Sequence, residues 1–250
     1  MSKTVKFSVK RQDEPSSKPY LDEFEVPYED GMNVTTLLMA TRQFPSTCDG
    51  KATTPVSFES ACLEEVCGSC TMIVNGKVRQ ACTALVDQLS QPIKLEPMTK
   101  FPVRRDLVVD RSQMFNALKK VKAWIDIDGV YDLGEGPKVY PHEQEKNYVL
   151  SRCMTCGCCL EACPQWTNDL EFIGPQAISQ AVLFNSHPNG VSTKGERIEA
   201  LVDNGLNNCG NAQNCVKACP KEIPLTDSIA RANREATVYT VEKWLIDAVS

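Results

Sequence analysis

Two textures divide the chain. Over the first hundred residues, apolar positions alternate with polar ones at the period of strands with one buried face. Val5, Phe7 and Val9 do so, then Phe24 and Val26, and finally Ile93 and Leu95. Met72-Ile73-Val74 and Lys77-Val78-Arg79 flank Asn75-Gly76, a dipeptide suited to a type I′ turn, so this stretch predicts a hairpin. Between Asn33 and Arg42, the positions of Val34, Leu37 and Leu38 predict a short helix with Asn33 as its cap. Pro92, Pro97 and Pro102 punctuate a stretch that reads as a linker. Beyond residue 106 the period turns helical. Met114, Leu118, Val121 and Ile125 predict one helix, and Pro175 opens a second that carries Ile178, Val182 and Leu183. Ile198, Leu201 and Val202 predict a third, and residues 226–249 a last one with Thr226 as cap. The expected organisation is α+β: a β-rich domain over residues 1–105 and an α-helical domain over residues 106–250.

Composition narrows the class. The 250 residues are 42% hydrophobic and 24% charged, as in an ordinary globular protein, which excludes disorder, collagen and coiled coil for the chain as a whole. The net charge of −5 provides no basic surplus to neutralise phosphates, so no nucleic-acid partner is expected. No stretch approaches the ~18–20 apolar residues that span a bilayer. The first residues lack both the apolar core (roughly 7–15 residues) of a secretory signal and the Arg-rich character of a transit peptide. The expectation is a chain that stays in the cytoplasm, where thiols are kept reduced.

Thirteen cysteines are the outlier, and in a reducing compartment they point to metal binding rather than disulfides. They cluster. Cys62, Cys67, Cys70 and Cys82 form one group, Cys153, Cys156, Cys158, Cys159 and Cys163 a second, and Cys209, Cys215 and Cys219 a third; Cys48 stands apart. Residues 62–70 read C-x4-C-x2-C, the plant-type spacing for a [2Fe–2S] cluster, with Cys82 as the fourth ligand from the far strand of the hairpin. Each iron needs two thiolates, so a tight loop must supply three and a neighbouring strand the last. The bland alternative, structural zinc, normally comes as two C-x2-C knuckles, which this is not.

Residues 153–164 contain C-x2-C-x2-C-x3-C-P, the bacterial ferredoxin run whose fourth cysteine ligates the other cluster. Residues 209–220 repeat the frame with Ala212 in the second cysteine position. The exchange rule gives Cys153, Cys156, Cys159 and Cys219 to a [4Fe–4S] cluster, and leaves Cys163, Cys209 and Cys215 for the other. An alanine methyl cannot bind iron, so the favoured reading there is [3Fe–4S]; a [4Fe–4S] cluster with water or hydroxide on its open corner is the alternative. Cys158 lies off the ligand frame and reads as a small buried residue.

Three one-electron centres in one chain describe a conductor. No site for two-electron chemistry is visible: Gly134-Glu135-Gly136 is not a dinucleotide fingerprint. His142 and His187 read as surface or loop residues rather than haem ligands. The donor and the final acceptor then belong to other proteins.

At this point the chain resembles a known family, the iron–sulfur subunit of succinate dehydrogenase and fumarate reductase (respiratory complex II). The resemblance covers nearly the whole chain. Beyond the cysteine frames it includes Arg11-Gln12-Asp13, Arg79-Gln80-Ala81-Cys82, Leu95-Glu96-Pro97-Met98, Phe172-Ile173-Gly174-Pro175 and Cys219-Pro220-Lys221-Glu222-Ile223-Pro224. Residues 114–129 look most like the subunit of Gram-positive-type, menaquinone-using enzymes. The resemblance implies a β-grasp plant-type [2Fe–2S] ferredoxin domain followed by an α-helical bacterial-type ferredoxin domain. It implies an FAD-containing flavoprotein partner that oxidises succinate, and electrons passing through [2Fe–2S], [4Fe–4S] and [3Fe–4S] to a quinone. It implies a membrane-anchor cytochrome b partner, often with haem b, and a place on the cytoplasmic face of the plasma (inner) membrane. The N-terminal domain would face the flavoprotein and the C-terminal domain the anchor.

Ubiquinone-reducing relatives often place a histidine after the first cysteine of the last run and two tryptophans after the first Cys-Pro. Here the positions are Gly210 and Pro164-Gln165-Trp166. Pro164 and Trp166 are the candidate quinone vicinity, with packing of Trp166 against the membrane subunit as the equal alternative. Succinate:quinone oxidoreductase is the leading expectation and quinol:fumarate reductase the runner-up. A free ferredoxin-like carrier and an iron–sulfur regulator are the competing classes.

Overall fold

A computed structural model describes residues 3–43, 45–126, 138–167 and 171–249. Gly134-Glu135-Gly136 lies outside them. The chain divides into two compact units, Met1–Arg111 with Met154–Glu161, and Ser112–Cys153 with Ala162–Ser250.

The first unit is built on a five-stranded mixed sheet. Its strands are β1 (Thr4–Arg11), β2 (Tyr20–Pro27), β3 (Thr71–Val74), β4 (Lys77–Gln80) and β5 (Ile93–Glu96), in the order β2-β1-β5-β3-β4. The alternation seen in the sequence sets the register. Val5 lies opposite Val26 and Phe7 opposite Phe24, whose rings stack at 5.2 Å. Their shared face is covered by helix α1 (Val34–Ala40), which buries Val34, Leu37 and Leu38 in the same core. Asn33 caps α1 by accepting from the Thr36 amide at 2.9 Å, and the Thr36 hydroxyl accepts in return from the Asn33 amide at 3.0 Å, a reciprocal capping box. The β3–β4 turn places Asn75 at φ 48° and Gly76 at φ 77°, as a type I′ turn requires.

The proline-punctuated stretch is not a linker. Met98, Phe101 and Leu107 are buried, and β6 (Val103–Arg105) pairs with β7 (Val108–Val109). Arg11 explains why the chain holds together here. Its fully buried guanidinium donates to both oxygens of buried Asp106 (3.1 and 3.0 Å), to Asp22 at 3.1 Å and to the Thr54 carbonyl at 2.8 Å. Asp106 also accepts the amides of Gln12 and Ser57. This network ties the end of β1 to the turn between β6 and β7.

The second unit is helical: α2 (Ser112–Lys120), α3 (Pro141–Ser151), α5 (Pro175–Ser186), α6 (Lys194–Asp203), the short α7 (Asn214–Lys217) and the long α8 (Leu225–Val249). One further short helix, α4 (Cys158–Glu161), belongs to the first unit. Pro175 occupies the first turn of α5 as expected, and α5 packs against α2, α3, α6 and α8 through Ala177, Ile178, Ala181 and Val182. Buried Arg197 on α6 donates to Asn185 of α5 at 2.7 Å and to the Trp124 carbonyl at 3.3 Å, and Asn185 donates to Glu235 of α8 at 3.0 Å.

Three expectations change. Helix α2 stops at Lys120, so Ile125 lies beyond it. Lys122 takes φ 49°, and the Lys122 and Ala123 amides bond back to the Lys119 and Leu118 carbonyls, a Schellman ending made without glycine. Helix α8 starts at Leu225, so Thr226 is inside it rather than capping it. Helix α3 was not predicted: its only buried residue is Leu150, too little for a helical stripe.

Arg11→Met should destabilise the fold by about 3–5 kcal/mol, because it strands a buried carboxylate. Arg11→Met with Asp106→Leu should recover most of that loss. Thermal unfolding of the two variants checks it; equal midpoints for single and double variants would contradict the network.

Candidate metal centres

The loop of residues 62–70 is wound by three residues with positive φ, Leu63 (61°), Glu65 (56°) and Gly68 (72°). Only glycine takes this region without cost. The winding turns the amides of Glu64, Val66 and Cys67 onto the Cys62 sulfur, at 3.4, 3.3 and 3.3 Å. Three backbone donors on one sulfur suit a thiolate that carries charge. The Ser69 hydroxyl lies 3.1 Å from the Cys67 sulfur, and with the Ser69 amide and Cys62 it lowers the Cys67 thiol to about 6. Cys82 follows β4 and is drawn in by the Ala81 amide, which donates to the Cys70 carbonyl at 3.1 Å. Burial pushes the Cys82 thiol up to about 11, and the Cys70 and Cys62 sulfurs add to it. Cys62 thus lies near Cys67, and Cys70 and Cys62 near Cys82, and this donor set fits a [2Fe–2S] group.

Arg111 braces this loop. It donates to the Gly68 carbonyl at 2.8 Å and the Ser69 carbonyl at 2.5 Å. Sequence reading missed it, since a single arginine between two elements carries no motif.

In the second run, Cys156, Cys158 and Cys159 are buried in the first unit, whereas Cys153 and Cys219 belong to the second. Thr155 and Gly157 take φ 52° and 89°, which turn the chain into α4. A hydrogen bond from the Cys158 thiol lowers Cys156 to about 7 and drives Cys158 upward.

In the second unit, Cys163, Cys209 and Cys215 line one small cavity together with Ala212, Pro164 and Gln165. Asn211 and Gln213 flank Ala212 at φ 51° and 60°, so the turn is kept although its side chain offers no donor. Burial raises the Cys215 thiol, and the nearby Cys163 and Cys209 sulfurs add to the rise. Three sulfurs and a methyl around one cavity fit a cluster short of one protein ligand. Gly210 leaves room for Gln165: a Cβ there would stand 2.6 Å from the Gln165 side-chain nitrogen.

Among the described residues, no three Cys, His, Asp or Glu side chains close on a single point as one metal ion requires. Cys48 is exposed and stands apart. His142 is exposed beside Glu143, and His187 accepts the Asn189 amide at 3.2 Å in a loop. Of the two residues named for a quinone vicinity, Pro164 is exposed at the cavity and Trp166 is fully buried within the second unit.

Residues 6–116 match the family model for a 2Fe-2S iron-sulfur cluster binding domain, and residues 149–223 that for a 4Fe-4S dicluster domain. The chain is 56% identical to the succinate dehydrogenase iron-sulfur subunit of Bacillus subtilis, over 97% of this chain and 96% of that one. It is 32% identical to the fumarate reductase iron-sulfur subunit of Haemophilus influenzae, over 89% of each. Its fold is like that of a chain in the Mycobacterium smegmatis Sdh1 complex in the apo form, with a TM-score of 0.80 over 94% of this chain and 96% of that chain at 21% identity.

Ser69→Ala should lower the midpoint potential of the [2Fe–2S] centre, because the hydroxyl stabilises the more negative reduced state. A hydrogen bond of roughly 1 kcal/mol corresponds to a shift of about 40 mV for one electron. An EPR-monitored redox titration measures it; an unchanged or raised potential would contradict the assignment.

Proposed function

Because the chain belongs to the family of succinate dehydrogenase and fumarate reductase iron–sulfur subunits, we propose that it is the electron-transfer subunit of a succinate:quinone oxidoreductase. It would link FAD-dependent succinate oxidation on a flavoprotein to quinone reduction at a membrane anchor. The observation that carries this reading is the cavity where Cys163, Cys209 and Cys215 meet Ala212. When bound, the clusters accept and release one electron at a time.

The chain's own residues hold, orient and insulate those groups. Cys62, Cys67, Cys70 and Cys82 would hold [2Fe–2S], with the loop amides and Ser69 offsetting the added charge. Cys153, Cys156, Cys159 and Cys219 would hold [4Fe–4S]. Cys163, Cys209 and Cys215 would hold [3Fe–4S], with Ala212 facing the missing iron. Pro164, exposed beside that cavity, would be near the quinone. The domain division proposed is residues 1–105 and 106–250.

One further feature supports a docked subunit over a free carrier. The last turns of α8 expose Trp244 (66%), Ile246 (68%) and Val249 (88%), a concentration of apolar surface that a solitary protein would leave in water. Among the described residues, no helix is long and apolar enough to cross a membrane; the attachment proposed is through a partner on the cytoplasmic face.

Turnover of the purified complex with succinate plus quinone, and with quinol plus fumarate, tests the direction. Faster succinate oxidation is expected; a strong bias to fumarate reduction would favour the reductase instead. Ala212→Cys should convert the three-iron centre to four irons, lower its potential and slow quinone reduction. An unchanged three-iron EPR signal in that variant would overturn the ligand frame.

A further inference from the structure

Within the first unit, Met154–Glu161 is held at three points, against the [2Fe–2S] loop, the end of β4 and the segment that follows β5. The first is a close approach of backbone: a Cβ on Gly68 would stand 2.8 Å from the Cys156 Cβ, 2.9 Å from its Cα and 3.0 Å from the Met154 carbonyl oxygen. Only the absent side chain lets the two loops touch. The second is Gln80, fully buried at the end of β4. Its Nε2 donates to Cys158 Sγ at 3.4 Å and to Thr71 Oγ1 at 2.8 Å, and its Oε1 lies 3.5 Å from Cys70 Sγ. The third is Glu161, whose carboxylate accepts from the Thr99 amide and hydroxyl (3.0 and 2.5 Å) and the Lys100 amide (3.1 Å).

We propose that Gly68, Gln80 and Cys158 are positioning residues that fix the separation and coupling between the [2Fe–2S] centre and the centre ligated by Cys156 and Cys159. The inference rests on the function proposed above and assigns these residues a role within it. Gln80 Nε2 donates on one side to Thr71, the neighbour of the ligand Cys70, and on the other to the one cysteine of its run outside the ligand frame. A buried carboxamide costs about 1–3 kcal/mol wherever its hydrogen bonds are unmade. A hydrocarbon of equal volume would fill the place without that liability, so what Gln80 adds is the tie between the strand that follows Cys70 and Cys158. Cys158 then serves as a fully buried docking point beside two ligands. The transfer served by this geometry moves one electron from the first centre to the second, with no atom or proton exchanged.

The test uses the assembled complex, reduced until both centres are paramagnetic. The neighbouring spin then speeds the relaxation of the [2Fe–2S] EPR signal, an effect that falls steeply with separation. Gln80→Leu and Cys158→Ala should keep their full iron content and lose part of this enhancement, and Cys158→Ser should restore it. Unchanged relaxation and unchanged midpoint potentials in both variants would overturn the proposal. So would loss of [4Fe–4S] iron in Cys158→Ala, because Cys158 would then be a ligand. If the unaltered complex lacked either signal, the function proposed above would fail rather than this inference.

Discussion

Sulfur ligands repel one another, and each added electron makes the repulsion worse. A chain that gathers thiolates must therefore bring donors with them. In the first unit the donors come from the backbone, because Leu63, Glu65 and Gly68 turn their neighbours' amides inward onto Cys62. The strain of two non-glycine residues at positive φ is accepted where those hydrogen bonds offset it. Positive φ recurs on either side of Cys156, at Thr155 and Gly157, and on either side of Ala212, at Asn211 and Gln213. The rest of the first unit, from the stacked Phe7 and Phe24 to the Arg11 network, gives its turns a packed base.

What was legible in the sequence was whatever local chemistry dictates. Cluster ligands on one loop must fall at fixed intervals, so the cysteine frames read directly. Asn75-Gly76 specified its turn because few other dipeptides accept two positive φ values, and Asn33 specified its cap because its side chain bonds within the same turn. The illegible features depend on partners remote in sequence or on weak signals. Lys122 ends α2 where glycine would be expected, and its ending bonds are made by backbone that carries no side-chain signature. Strands β6 and β7 are too short to alternate. Trp166 looked like a residue for an interface because it follows Cys-Pro, yet it is packed inside the second unit. Gln80 and Arg111 gain their roles only when the fold brings Cys158 and the Gly68 carbonyl to them.

The division of the chain is also informative. By sequence, residues 153–163 form one ferredoxin run. By packing, Met154–Glu161 belongs with the sheet, while Cys153 and Cys163 belong with the helices. The run is thus shaped by its neighbours as much as by its own motif. The succinate dehydrogenase reading rests instead on the family to which the chain belongs.

The most direct measurement is EPR of the isolated complex, oxidised and then reduced with dithionite, together with its metal content. The account predicts a three-iron signal in the oxidised protein, two further signals on reduction, and about nine irons per chain from the nuclearities of such centres. Zinc in place of iron, or an oxidised protein without the three-iron signal, would contradict it.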